Sequence, residues 1–199
     1  KHGILLIFDE VITGWGRTGF PFASQAFGVT PDIMTMAKAV TNGVVPLGAV
    51  ASRENIYDTV LDASPMGAVE FFHGYTYSAI PVSMAAGLAM QNIIEKENLF
   101  QRSKDMSPYF LDGLFSLKDI DVITDIRGYG MLGGIDIRFD ERPGKAGYTC
   151  FKKLFEAGLS LKATGDCLIV APPFVCEKNH IDEIIEKLRT GIKNYMQLK

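Results

Sequence analysis

"GILLIFDEVITGWGRTG", residues 3–19, turns on the acid pair at its centre, Asp9-Glu10. Ile4 to Phe8 form an unbroken apolar run that ends in two carboxylates and then in glycines. Such a run reads as a short strand buried on both faces of a parallel sheet. The two acids then stand at the carboxyl edge of that strand, where open α/β sheets keep their ligands.

The rest of the chain fits an α/β reading. Of 199 residues, 47% are apolar, enough for a substantial core, and the net charge is −3. No basic stripe with interleaved aromatics occurs, which argues against nucleic-acid binding. The longest apolar runs fall well short of the roughly 20 residues of a membrane helix. Cys150, Cys167 and Cys176 lack any CxxC spacing, so neither a disulfide framework nor a zinc site is expected, and the reduced cytoplasm is the expected setting. The chain opens "KHG" without Met, a few residues before a core strand, and reads as an internal piece of a longer protein. Residues 1–55 alternate apolar runs with Gly/Pro joints, the punctuation of buried strands. Residues 56–72 read as a helix and then a loop. Pro81 suits the first turn of the helix that follows. Leu99, Met106, Phe110 and Leu114 recur at helical spacing. Two strands are expected within 120–137, a helix over 147–157 ending at Gly158, and a strand pair in "LSLKATGDCLIVAPPF". A last helix over about 180–197 puts Ile181, Ile184, Ile185, Leu188, Ile192 and Tyr195 on one face. The pattern shifts near residue 97, where a boundary is placed between 1–97 and 98–199.

Three uses fit an acid at the end of the first strand. It could hold magnesium in an ATPase, hold the ring nitrogen of pyridoxal phosphate, or be solvated. The first needs a GxxxxGK[ST] phosphate loop, and none occurs in these residues. The second needs a lysine at the end of a neighbouring strand, because that cofactor's aldehyde is carried on an amine. "PDIMTMAKAV" supplies Lys38 directly after an apolar run, where lysine is uncommon. Desolvation favours the neutral amine that such chemistry requires. A lysine snorkelling to water is the plain alternative.

"LLIFDEVITGWGRTG" (5–19), "PDIMTMAKAVTNGVVPLGAV" (31–50), "FFHGYTYSAIPVSMAAGLA" (71–89) and "RGYGMLGGIDI" (127–137) resemble, in order, signatures of the class III (omega) aminotransferases. The spacing of Asp9 and Lys38 is similar to that family's. "HGYTYS" and "ATGDCLIVAPPF" resemble most the omega-amino acid and amine–pyruvate branch. The resemblance implies fold type I of the pyridoxal phosphate enzymes. Residues 1–97 would be the C-terminal part of the large, mostly parallel-sheet domain, and 98–199 the small α+β C-terminal domain. It further implies a transaminase that moves an amino group from an amine or omega-amino acid to a keto acid such as pyruvate. By position, Asp9 matches the acid that holds the pyridine nitrogen, and Val11 a residue packed on one ring face. Lys38 matches the Schiff-base lysine. Thr76, with Tyr75 beside it, matches a phosphate-binding threonine given by the neighbouring subunit, so a homodimer is the implied minimum unit, with a tetramer possible.

Plainer roles stand beside these. Val11 reads equally as a core valine and Thr76 as a cap of the next helix. Trp15 and Arg17 follow the ligand edge and read either as channel lining or as an exposed loop pair. His73 reads as a loop histidine rather than a base, and "GYGMLGG" as a turn and strand rather than a dinucleotide loop. Two departures from the family pattern stand out. The half that supplies the main phosphate loop and the stacked aromatic is not in these residues. Lys162 stands where this branch carries an arginine that grips a substrate carboxylate, and lysine lacks the planar fork for bidentate binding. A non-catalytic partial chain, or a related aminomutase or decarboxylase, are the alternatives to a transaminase.

Overall fold

The computed structural model describes residues 2–66, 74–138 and 142–196. His73 lies outside them. The chain divides into two compact units, Lys1–Phe100 and Gln101–Lys199.

The first unit holds a three-stranded sheet in the order β1 (Ile7–Asp9), β2 (Ile33–Met36), β3 (Ala49–Ser52). β1 and β2 are parallel, with Ile7, Phe8 and Asp9 opposite Ile33, Met34 and Thr35. β3 returns antiparallel to β2. The short helix α1 (Ala23–Ala26) lies on the crossover between the parallel strands. A 3₁₀ turn, Lys38–Val40, follows β2, and the helices α2 (Glu54–Asp62) and α3 (Pro81–Lys96) follow β3. Pro81 takes the first turn of α3, as its fixed φ and missing N–H favour.

One expectation fails here. β1 has three residues, and Ile4, Leu5, Leu6 and Ile7 are exposed at 83, 51, 43 and 57%. β1 is an end strand paired along one edge, and Ile4 to Leu6 precede its ladder. An apolar run shows that a segment favours cover; it does not say which other segment provides it.

The second unit opens in α4 (Leu99–Phe115), which crosses the division between the units, and holds a four-stranded antiparallel sheet. Its order is β4 (Ile123–Tyr129), β5 (Leu132–Ile137), β7 (Cys167–Val170), β6 (Lys162–Thr164). Gly130 and Met131 form a two-residue hairpin loop between β4 and β5. Gly130 adopts φ +61°, the sign such turns require. The helices α5 (Lys145–Glu156) and α6 (Lys178–Met196) complete the unit. Ile135, Ile137, Leu168 and Val170 alternate inward along β5 and β7, the period-two signature of a sheet covered on one face. Phe110, Leu114, Ile181, Leu188 and Ile192 are fully or almost fully buried and supply helical faces. Each such side chain contributes about 1.5–3 kcal/mol on leaving water. The "ATGDC" turn is structural. The Asp166 carboxylate accepts hydrogen bonds from Gly144 N (2.7 Å) and Gly147 N (3.0 Å), and so caps the start of α5. No helix among the described residues is long and apolar enough to cross a membrane.

Candidate active site

Neighbouring residues on an extended backbone point to opposite faces, and this separates Asp9 from Glu10. Asp9 ends β1 on the exposed side. Its Oδ1 accepts from Val11 N at 3.1 Å and from Thr35 Oγ1 at 3.2 Å, the latter across the parallel ladder. Both bonds fall on one oxygen, so the carboxylate is oriented while Oδ2 keeps acceptor capacity. Glu10 is 1% exposed. Its Oε2 accepts from Thr13 Oγ1 (2.6 Å) and Ala23 N (2.9 Å), and its Oε1 from Ser24 N (2.8 Å). The pair that opened the question is therefore one acid presented outward and one acid buried.

Lys38 begins the 3₁₀ turn immediately after β2, one strand over from Asp9. Its side chain is exposed rather than buried. The apolar run before it implies burial, but the chain turns at Lys38 and leaves the strand's packing behind. Its φ is +50°, in the left-handed region, which costs a non-glycine residue about 1–2 kcal/mol. Lys38 lines a cleft of about 980 Å³ together with Trp15, Thr41, Leu47, Tyr77 and Ser78. The cleft's floor is held by two buried hydroxyls: Thr41 Oγ1 donates to Val45 O (2.6 Å) and Ser83 Oγ to Pro46 O (2.9 Å). On α3, Gly87 lets Leu47 approach, since a Cβ there would lie 3.2 Å from Leu47 Cδ2.

The other expected residues are placed as follows. Val11 is half-buried beside Asp9. Tyr75 and Thr76 are exposed in the turn before α3, and the next residues, Tyr77 to Ile80, reach the cleft lining. Thr76 does not cap α3. The N-cap is Ile80, without a side-chain hydrogen bond. Trp15 lines the cleft and has φ +63°, while Arg17 is half-buried and outside the lining set. Lys162 belongs to the second unit, where it opens β6 opposite Ile169 and is exposed. Glu10 was missed as a functional candidate; acids in sequence do not reveal which of two faces is buried. Cys150 and Cys167 do not read as nucleophiles. Burial pushes the Cys150 thiol up to about 12 and the Cys167 thiol up to about 11.

The donor set suits pyridoxal phosphate. A primary amine on a cleft wall and a carboxylate with one oriented and one available oxygen end two adjacent parallel strands. An aldehyde and a protonated ring nitrogen are the groups such a pair receives.

Comparison with known proteins agrees. The family model for class-III aminotransferases matches residues 1–192. The omega-aminotransferase of Caulobacter vibrioides is 45% identical over 192 residues, which cover 95% of this chain and 43% of that protein. The beta-alanine–pyruvate aminotransferase of Pseudomonas aeruginosa is 45% identical over 188 residues, 94% of this chain and 42% of that one. A crystal structure of a thermostable omega transaminase mutant from Pseudomonas jessenii superimposes with a TM-score of 0.90 at 30% identity, covering 98% of this chain and 45% of that one. The chain thus spans less than half the length of the relatives it matches. Its fold is that of the fold type I pyridoxal phosphate enzymes. The chain belongs to the class III aminotransferases, a pyridoxal phosphate-dependent family.

Proposed function

We propose that this chain carries the lysine-and-aspartate side of an omega-transaminase site, which moves an amino group from an amine or omega-amino acid to a keto acid, with pyruvate the acceptor. The observation that carries this is the placement of Asp9 and Lys38 at the ends of adjacent parallel strands, with Lys38 on a cleft. When bound, the cofactor supplies an electron sink for the carbon that bears the amino group. Lys38 would offer the amine that carries it and a base for moving a proton at that carbon. Asp9 would hold the ring nitrogen, its carboxylate oriented through Oδ1 by Thr35 and Val11. Val11 would pack on one ring face. Thr76, with Tyr75, would reach the phosphate of a neighbouring subunit, which would make a homodimer the working unit. Trp15 and Arg17 shape the substrate channel, and Lys162 receives a substrate carboxylate as a point charge. The relatives' names, omega-aminotransferase and beta-alanine–pyruvate aminotransferase, support the donor and acceptor classes. Cys150 and Cys167, neither of them in a disulfide, suit the cytoplasm.

Borohydride reduction of the complete holoenzyme followed by peptide mapping tests this reading. The pyridoxyl label is expected on Lys38. A label on one other specific lysine would overturn the assignment.

A further inference from the structure

The loop between Glu10 and α1 is built against its own preferences. Trp15 takes a left-handed φ of +63°. Trp15 Nε1 and Thr18 Oγ1 are buried without a hydrogen-bond partner, and among the described residues no other side-chain polar atom shares that condition. Gly14 is folded so tightly that a Cβ would lie 2.8 Å from Glu10 O and 3.1 Å from the Phe22 ring. Conformations of this kind persist only where surrounding contacts over-determine them. Here the contacts converge on one group. The Glu10 carboxylate takes the Thr13 hydroxyl near the start of the loop and the Ala23 and Ser24 amides at its end, closing the loop on itself. Trp15 N then donates to Pro21 O at 2.6 Å, and the Trp15 ring meets Phe22 edge-on at 5.4 Å.

We infer that Glu10 is a positioning residue whose buried carboxylate cinches the Val11–Phe22 loop and so sets Trp15 as a wall of the Lys38 cleft. Three donors face the carboxylate: two amides and one hydroxyl. A carboxamide in its place would turn an NH₂ against at least one donor that cannot accept. The loop would lose its closure while β1 and β2 kept their ladder. The cleft assignment rests on the transaminase reading; the closure of the loop does not.

Trp15 is the only tryptophan of the 199-residue chain, so intrinsic fluorescence of the full chain reads this side chain directly. Glu10→Gln is expected to shift the emission to the red and raise the acrylamide quenching constant severalfold, with the far-ultraviolet dichroism unchanged. Phe110→Ala, which weakens the second unit, is expected to leave native-state quenching unchanged. Should Glu10→Gln fail to fold, Thr13→Val removes one of the three bonds and is expected to move quenching the same way by less. Unchanged quenching in the folded Glu10 variant, or in Thr13→Val where that variant serves, would overturn the inference. So would an equal rise in Phe110→Ala. In the complete holoenzyme, Glu10→Gln should raise the KM of the amine donor more than it lowers kcat. A fall in kcat alone would overturn the positioning role. Loss of turnover in Lys38→Ala tests the transaminase reading separately.

Discussion

In Gln101–Lys199 the large, fully buried side chains include Phe110, Leu114, Met131, Ile135, Leu154, Leu168, Ile181 and Leu188. Among the described residues of Lys1–Phe100 the corresponding side chain is a carboxylate, Glu10. The second unit is held by apolar packing between one face of a sheet and its helices. The first leaves Ile4 to Ile7 and the whole of β3 exposed, and uses three buried polar side chains to hold loops: Glu10, Thr41 and Ser83 each pin a turn that borders the cleft. Apolar burial is nondirectional and stabilises a fold. Buried hydrogen bonds are directional and fix where particular atoms stand. The contrast shows a chain in which the means of stability and the means of chemical placement are largely in different segments.

The comparison breaks if stability and activity respond together. Lys38→Ala should remove nearly all turnover of the complete enzyme. Because Lys38 is exposed, the same change should alter unfolding free energy by no more than about 0.5 kcal/mol. Phe110→Ala is the counterpart. Phe110 is wholly buried, so truncation should cost about 3–5 kcal/mol in urea unfolding. Comparable losses of stability from both would show that the two units are not distinct in this way.

A smaller effect sharpens the role of the second unit. If Lys162 meets a substrate carboxylate, its single contact gives up one of two charge-assisted hydrogen bonds, on the order of 1.5–3 kcal/mol. Lys162→Arg should then lower the KM for pyruvate and for beta-alanine-like donors by about ten- to a hundredfold, and leave simple amines little changed. Steady-state kinetics on both substrate types decides it. Equal effects on both would return Lys162 to solvent.

The smallest effect is electrostatic. The Arg127 guanidinium holds Asp136 through bonds of 2.6 and 3.0 Å, and its hydrogen bonding keeps that carboxyl below the ordinary Asp range. A lowered folded value means that the pair's stabilisation is present above about pH 4 and is lost as the pH falls through the folded value. The pair is largely solvent-exposed, so screening limits it to about 1 kcal/mol or less. Arg127→Gln should be weaker than the parent in urea at neutral pH, and the gap should close on acidification. A gap that widened in acid would show that the pair does not lower the Asp136 carboxyl in the folded chain.

What the sequence revealed follows the same division. The spacing of Leu99, Phe110 and Leu114, and of Ile181, Leu188 and Ile192, placed α4 and α6 because periodic burial is a local pattern. The ends of β1 and β2 were legible because apolar runs stop abruptly at Asp9 and Lys38. The burial of Glu10 was not legible. Alternation says that adjacent residues face opposite ways, without saying which way is in. Nor was the exposure of Ile4 to Ile7, since an apolar run reads the same whether or not another segment lies over it. Arg102 makes the same point: it donates to the carbonyls of Phe174, Val175 and Cys176, more than 70 residues away, and nothing near it in sequence announces this.

Among the described residues, five non-glycine residues have positive φ: Trp15, Lys38, Asn42, Ala79 and Asn98, all in the first unit. Three of them, Trp15, Lys38 and Ala79, line the cleft. Glycine relieves the backbone at such positions, so Ala79→Gly is open to a population drifting toward robustness. The same step at Trp15 or Lys38 deletes an indole or an amine. A library screened for heat resistance alone would therefore erode this cleft from its own backbone outward, and directed evolution of this scaffold must hold those two positions constant while it varies the rest.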